Sequence, residues 1–574
     1  MFSSKVRGRL IVLGLLILSG CEGTEETGNG VLPPFEPEVE FSIHPDRIEH
    51  RTGRVIGWNL GQGVYYTSES DPLYHPWRTP ERVAAVQALG EIRAANGARP
   101  LMRFSGLQID GSLGGDGYHF WDYVDPDTPP EEKSDKFMAV FEYMTIMEET
   151  DSEPIILLNF GSGTAREAAD YVTYLNGSDP SDPLVAARQF WGQKEPYGVD
   201  ILEIGNEVYG FWNTGFFSFG SFSYANRRAP HGGDPEWYGE PSSDPRHFAG
   251  RALAYIEQIE SPNVRYWVPF NQSSMDFWGG LESAVEGLRP LLENPAVEAV
   301  VVHQYLLDEL LLARLSLEAL SVCSDLQLMM TAPAYFEREL RDAREILNTI
   351  ERERPLGLVI TEYGPADGFC GVLGFPHGDT LALGVSLADM MVTYLRLGLE
   401  AAAQHIQLTF ENESDGDSQQ LVEPWYNPFR LNDDGTLRRM PQYWVNRIVA
   451  DHLLEHVVHT DVRGEATAEM DIGGTELHYP VINTVAMADE KGEHLALLFV
   501  NRSLDREYAV ASTISNHSLK VVEGTLFTSG AALDDASKMD IEPQPLNVTI
   551  LGSQIYFYLP PHSLAGLLID TPLR

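Results

Sequence analysis

The chain has 574 residues, room for a (β/α) barrel of roughly 250 residues or more with a further domain beside it. Its 43% apolar and 22% charged residues suit a large buried core and exclude wholesale disorder. With 84 Asp and Glu against 40 Lys and Arg, the formal net charge of −44 repels phosphate backbones and argues against nucleic acid as a partner. A neutral sugar polymer would not be repelled.

At the N-terminus Lys5, Arg7 and Arg9 precede an apolar run, 10–18, too short to span a bilayer. The following Leu18-Ser19-Gly20-Cys21 resembles a bacterial lipobox. That resemblance implies a leader over 1–20, lipid on Cys21, and, with Glu22 rather than Asp next, an outer-membrane or cell-surface lipoprotein. An ordinary secretory signal with a chance Cys is the alternative. Residues 21–36 are acidic and rich in Gly and Pro, which reads as a flexible tether. The lipid anchor is the only membrane contact expected.

From there to about residue 452, apolar strand-like runs alternate with amphipathic stretches. RVIGWNL, ARPLMRFSG, PIILLNFG, VDILEIGNE, VRYWVPFN, VEAVVVHQY, LGLVITEYG and AAAQHIQLTF are the candidate strands. Eight buried-type strands, each followed by a helical or loop segment, predict an α/β fold, a (β/α)8 TIM barrel, over 37–452. A doubly wound open sheet is the competing architecture. The segment 209–245, carrying FWNTGFFSFGSFSY, concentrates aromatics that could stack on sugar faces or pack over the barrel; Phe216, Phe217, Phe219 and Phe222 fit either role. From residue 453 short strands separated by turn residues predict an all-β sandwich to the C-terminus, which 37–52 could join. Cys323 and Cys370 could pair in an oxidising compartment or stay as separate thiols. No C-x-x-C or H-E-x-x-H pattern occurs, so no metal site is expected.

Barrel chemistry sits at the C-terminal ends of strands. There the fourth candidate strand ends Gly205-Asn206-Glu207 and the seventh Thr361-Glu362-Tyr363. Two carboxylates meeting at one barrel mouth suit glycosidic bond cleavage: one protonates the departing oxygen, the other attacks the anomeric carbon. Side chains supply both roles, so no cofactor is implied. Glu203, lower on the same strand, reads as a buried partner for a cation.

The pairing resembles clan A of the glycoside hydrolases, and the surrounding motifs resemble glycoside hydrolase family 51, the α-L-arabinofuranosidase type. The motifs are NFGSGTAREAADYVTYLNG (159–177), EPYGVDILEIGNE (195–207) and GFW (210–212), with MRFSG (102–106), YHFWD (118–122), HQY (303–305) and LPPHSLAGLLI in support. The resemblance implies Glu207 as acid/base and Glu362 as nucleophile. It places Asn206 on a sugar hydroxyl, Tyr305 against Glu362, His303 and Arg103 at the pocket floor, and Trp212, Gln407, Gln108 and Asn59 around the substrate. Three departures stand out. Asn59 and Gln62 lie where the family has a Glu, Ser105-Gly106-Leu107-Gln108 replaces Pro-Gly-Gly-Asn, and Thr361-Glu362-Tyr363 replaces Asp-Glu-Trp.

Three readings follow. The first is a retaining α-L-arabinofuranosidase acting on polysaccharide or oligosaccharide. The second is an endo-β-glucanase or another clan A glycosidase with the same pair, and the third a surface sugar-binding protein without catalysis. A retaining mechanism predicts carboxyl groups about 5 Å apart. The partner is carbohydrate in every case, and an oligomer stays open.

Overall fold

The structure is a computed structural model that describes residues 33–60, 80–104, 140–160, 163–190, 192–209, 244–270, 278–308, 310, 322–366, 370, 376–406, 408, 426–432, 434–464, 466–472, 475–517, 519 and 521–571. Strand β1 (Val39–Arg51) comes first and belongs to the C-terminal sheet. The barrel then runs through β2 (Gly57–Leu60), β3 (Leu101–Phe104), β4 (Glu153–Leu158), β5 (Ile201–Ile204), β6 (Arg265–Pro269), β7 (Val297–Tyr305), β8 (Gly357–Gly364), β9 (Ala401–Ala402) and β10 (Gln404–Ile406).

These barrel strands pair in parallel, in chain order, with β9 on β8 and β10 back on β2. The ring therefore closes, its eighth position split into two short pieces at Ala403. Both faces of the strands are covered, which is why they read as nearly continuous apolar runs. Helices pack outside. Ala165–Asn176 starts on a Thr164 cap, whose hydroxyl accepts from the Glu167 N–H. Pro245–Gln258 starts on Asp244 with Pro at its first position.

The barrel interior is layered. Leu101, Ile155, Ile201, Trp267, Ala299, Val301, Val359 and Ala401 fill the lower part as one apolar cluster. Two residues further along their strands come Arg103, Glu203, His303 and Thr361, all buried. The side-chain period of two thus turns an apolar floor into a polar layer at the C-terminal mouth.

After the short hairpin β11 (Phe429–Leu431) with β12 (Leu437–Arg439) and the helix Pro441–Asp451, the chain becomes all β. The strands are β13 (His456–Arg463), β14 (Thr467–Ile472), β15 (Thr475–Pro480), β16 (Ile482–Ala488), β17 (His494–Asn501), β18 (Tyr508–Ile514), β19 (Val521–Phe527), β20 (Gln544–Pro545), β21 (Thr549–Leu551), β22 (Gln554–Leu559) and β23 (Ser563–Asp570). Their order is β20-β19-β23-β17-β16-β13-β1-β18-β22-β21, with β14 and β15 apart as a hairpin that the sequence reading did not single out. β1 sits between β13 and β18 and buries Val39, Phe41 and Ile43 by strict alternation.

Strands β16 and β17 pack on the helix Leu381–Leu397 outside the barrel. There Arg502, just past β17, makes two hydrogen bonds to Asp389 of that helix at 2.7 and 3.0 Å, and Asn483 donates to Asp389 at 2.6 Å. Arg502 and Asp389 are both buried, so the contact is a desolvated, fully hydrogen-bonded pair. Cys323 and Cys370, left open by the sequence, form a disulfide. It ties the segment following β7 to the segment following β8, where Asp308 also accepts from the Cys370 N–H at 2.8 Å.

Candidate active site

Two local features aim the carboxylates. On β5 the backbone leaves the strand at Gly205, whose φ of +76° suits glycine; a Cβ there would lie 2.7 Å from Val208 Cγ1 and 2.9 Å from Phe160 Cβ. Glu207 itself adopts φ +42°, a left-handed conformation that costs a non-glycine residue on the order of 1–2 kcal/mol. Strain of this kind concentrates at functional positions. On β8 the pairing with β7 slips. Val302 opposes Ile360, but His303 opposes Glu362, so Thr361 is an extra residue on β8. This bulge lets Thr361 and Glu362, adjacent in sequence, both make polar contacts inside the barrel.

Arg103 is the hub. Nε and Nη2 donate to the two oxygens of Glu203, both at 2.7 Å. Nη1 donates to Glu362 Oε1 at 2.5 Å, and Nη2 also donates to Asn206 Oδ1 at 2.7 Å. A longer contact, 3.4 Å, runs from Nη1 to Asn59 Oδ1. Arg103 and Glu203 are wholly buried, so Glu203 is the cation partner expected of it. Glu362 receives a second hydrogen bond, from the Tyr305 hydroxyl to Oε2 at 2.5 Å. His303 Nδ1 lies 2.8 Å from Glu207 Oε1 and 3.5 Å from Glu362 Oε2, with Nε2 3.0 Å from Thr361 Oγ1.

One atom each from Glu207, His303 and Glu362 lie within 4.8 Å of one another. At least one oxygen of each carboxylate therefore lies within 4.8 Å of an oxygen of the other. The three could each offer one ligand to a cation, but the Arg103 guanidinium already occupies Glu362 Oε1 with fixed positive charge.

Burial by itself would raise the Glu362 carboxyl. The positive neighbours His303 and Arg103, then His405 and the Tyr305 hydroxyl, outweigh it and hold the group down at about 2. Burial drives His405 down to about 4 although Glu362 pulls it up. His303 goes the other way: burial opposes charging, but Glu362 and Glu207 together raise it.

The signs give a stability profile. His405, depressed from 6.5, contributes fully above about pH 6.5 and loses that contribution as pH falls to about 4. Glu362, depressed from 4.5, loses its contribution from about pH 4.5 down to about 2. The raised His303 contributes below pH 6.5 and ceases to as pH rises through its folded value. Tm measured by calorimetry should therefore fall by several degrees from pH 6.5 to pH 4, and His405→Asn should flatten that slope.

Of the residues singled out from sequence, Glu207, Glu362, Asn206, Arg103, His303, Tyr305 and Asn59 are all buried, and the contacts above link them in one cluster. Trp212, Gln108, Gln407, Cys21 and the aromatic run 211–224 lie outside the described residues. Sequence reasoning missed His405, whose Nδ1 is 2.6 Å from the Tyr305 hydroxyl, and Tyr426, which stacks on His405 at 4.4 Å. A signal existed for His405: it stands two places before Gln407, so a strand puts both on one face.

The two buried glutamates stand at the ends of the barrel's fourth and seventh strands, the placement that the resemblance to glycoside hydrolases implied. Comparison with known proteins agrees. The family description "Alpha-L-arabinofuranosidase 1 domain" matches residues 114–229. Alpha-L-arabinofuranosidase C of Emericella nidulans is 29% identical over 192 residues, 30% of this chain and 35% of the relative. The match thus spans about a third of that relative's length. The alpha-L-arabinofuranosidase from Thermotoga maritima, solved as an arabinose complex, superposes with TM-score 0.66 at 16% identity, over 93% of this chain and all of the other. The family 51 arabinofuranosidase from Xanthomonas axonopodis pv. citri gives the same figures. The structural likeness shows the fold, and the comparisons together support the family 51, arabinofuranosidase-type assignment that the motifs carry.

Proposed function

We propose that this chain is a retaining glycoside hydrolase of the α-L-arabinofuranosidase type. The observation that carries the reading is the Glu207–Glu362 pair, close together at the barrel mouth with Glu362 held ionised. Glu362 attacks the anomeric carbon while Glu207 protonates the leaving oxygen, and the glycosidic bond breaks as a glycosyl ester forms. Glu207 then takes a proton from water, which displaces Glu362 and restores the carboxylate. Tyr305 and Arg103 hold the two Glu362 oxygens, which fixes the direction of attack. The sorting signature at Cys21 supports action from the cell envelope on external polysaccharide.

A second reading, another clan A specificity such as an endo-β-glucanase, is favoured by Asn59. Arg103 engages its Oδ1, so Asn59 turns an amide, not a carboxylate, towards what lies beside it. The family's furanose-gripping Glu is absent there.

A panel of nitrophenyl glycosides and arabinan, arabinoxylan and β-glucan oligosaccharides tests both. Cleavage of the α-L-arabinofuranoside supports the first reading and cleavage of glucan alone the second. Glu207→Ala should lower kcat on oligosaccharides by about 10²–10⁴-fold. On the nitrophenyl substrate, whose leaving group needs little protonation, the loss should be far smaller, and added azide should restore turnover as the glycosyl azide. Equal losses on both substrates would remove Glu207 from the acid role.

A further inference from the structure

We propose that His405 is a positioning residue for the nucleophile, its Nδ1–H donating to the Tyr305 oxygen and so committing the Tyr305 proton to Glu362. The inference rests on the glycosidase reading above and adds to it a residue that none of the sequence motifs quoted above contains.

Tyr305 has a single hydroxyl proton and, among the described residues, two short contacts, 2.5 Å to Glu362 Oε2 and 2.6 Å to His405 Nδ1. Glu362 is ionised and offers only lone pairs, so the tyrosine proton must point to it. The other contact must then run towards the tyrosine oxygen, and only a protonated Nδ1 can supply it. Burial keeps the His405 ring neutral, so its one proton is the one on Nδ1, and Nε2 is left as a bare acceptor. Nε2 is buried with no hydrogen-bond partner among the described residues, consistent with that tautomer.

Two features hold the ring still. The Tyr426 ring stacks on it with an interplanar angle of 18°, and the Tyr426 hydroxyl is itself fixed, donating to Ala366 O at 2.5 Å. His405 is also paired in register with Asn59, across β10 and β2. Without the imidazole, the tyrosine hydroxyl could rotate and share its proton among other acceptors, and the Glu362 oxygen would lose a defined partner. His405 Nδ1 is 3.8 Å from Glu362 Oε2, so its action on the nucleophile passes through Tyr305.

Substitution separates this role from packing. An asparagine amide can place its N–H near the position of Nδ1, whereas a glutamine reaches towards Nε2. His405→Asn should keep kcat within about threefold of the parent. His405→Gln and His405→Ala should each lose about 10–100-fold in kcat with little change in KM. In a Tyr305→Phe background all three should have no further effect. Nitrogen-15 NMR of the imidazoles in the intact chain should show His405 neutral with Nδ1 protonated. Wild-type turnover that Glu362→Ala abolishes establishes the glycosidase reading separately from His405. If wild type cleaves nothing, that reading falls, and the NMR tautomer still decides for or against the inference. His405→Asn as damaging as His405→Ala, losses that persist without the Tyr305 hydroxyl, or an Nε2-protonated ring would overturn it.

Discussion

Glu362→Ala should abolish turnover, with kcat on any cleaved glycoside falling by about 10⁴-fold or more while the protein stays folded. The carboxylate is placed by donors on both oxygens and held ionised by positive neighbours, the state and orientation that attack requires. Its removal should also be tolerated by the fold. The deleted charge was the partner of Arg103, which keeps Glu203, and of His303, which keeps Glu207. Azide or formate should enter the space and return part of the activity with inverted product stereochemistry. A variant that retains more than about a hundredth of wild-type turnover without added nucleophile would rule out double displacement through Glu362.

Arg103→Met should have the largest effect on stability. The substitution fills similar volume but leaves Glu203 wholly buried, with the Thr361 hydroxyl at 3.4 Å its remaining hydrogen-bond donor among the described residues. Breaking such a buried pair by removing one partner costs about 3–5 kcal/mol, because a desolvated charge is left uncompensated. The same guanidinium serves Glu362 and Asn206, so activity should be lost as well. Combining Arg103→Met with Glu203→Gln should recover a large part of the stability but not the turnover, measured by thermal unfolding and by kinetics on one preparation. Equal stability of the single and double variants would overturn the reading of Glu203 as the buried partner of Arg103.

The contrast between Glu203 and Glu362 shows how far the chain could be read directly. Glu203 sits two residues after Ile201 on a regular strand, so the period of two places it in the barrel, and burial makes a cation its necessary partner. Glu362 follows Thr361, and simple alternation cannot put both inside. Only the slipped pairing of β7 with β8 does that, and register slips arise from neighbours remote in sequence. Asn206 and Glu207 were visible as a motif, but the left-handed turn that carries Glu207 to His303 was not.

The amino-acid order thus determined the alternation of buried strands and helices, the change to short strands after residue 453, and the residue types able to cut a glycosidic bond. Hydrophobic period and turn chemistry are local properties, and both act along the chain. Tertiary structure alone decided the rest. It inserted β1 between β13 and β18, joined Cys323 to Cys370, and brought His405 against Tyr305. Each of these depends on distances between segments 47 to several hundred residues apart. Closure of the barrel and packing of the sandwich set those distances, and no local preference encodes them.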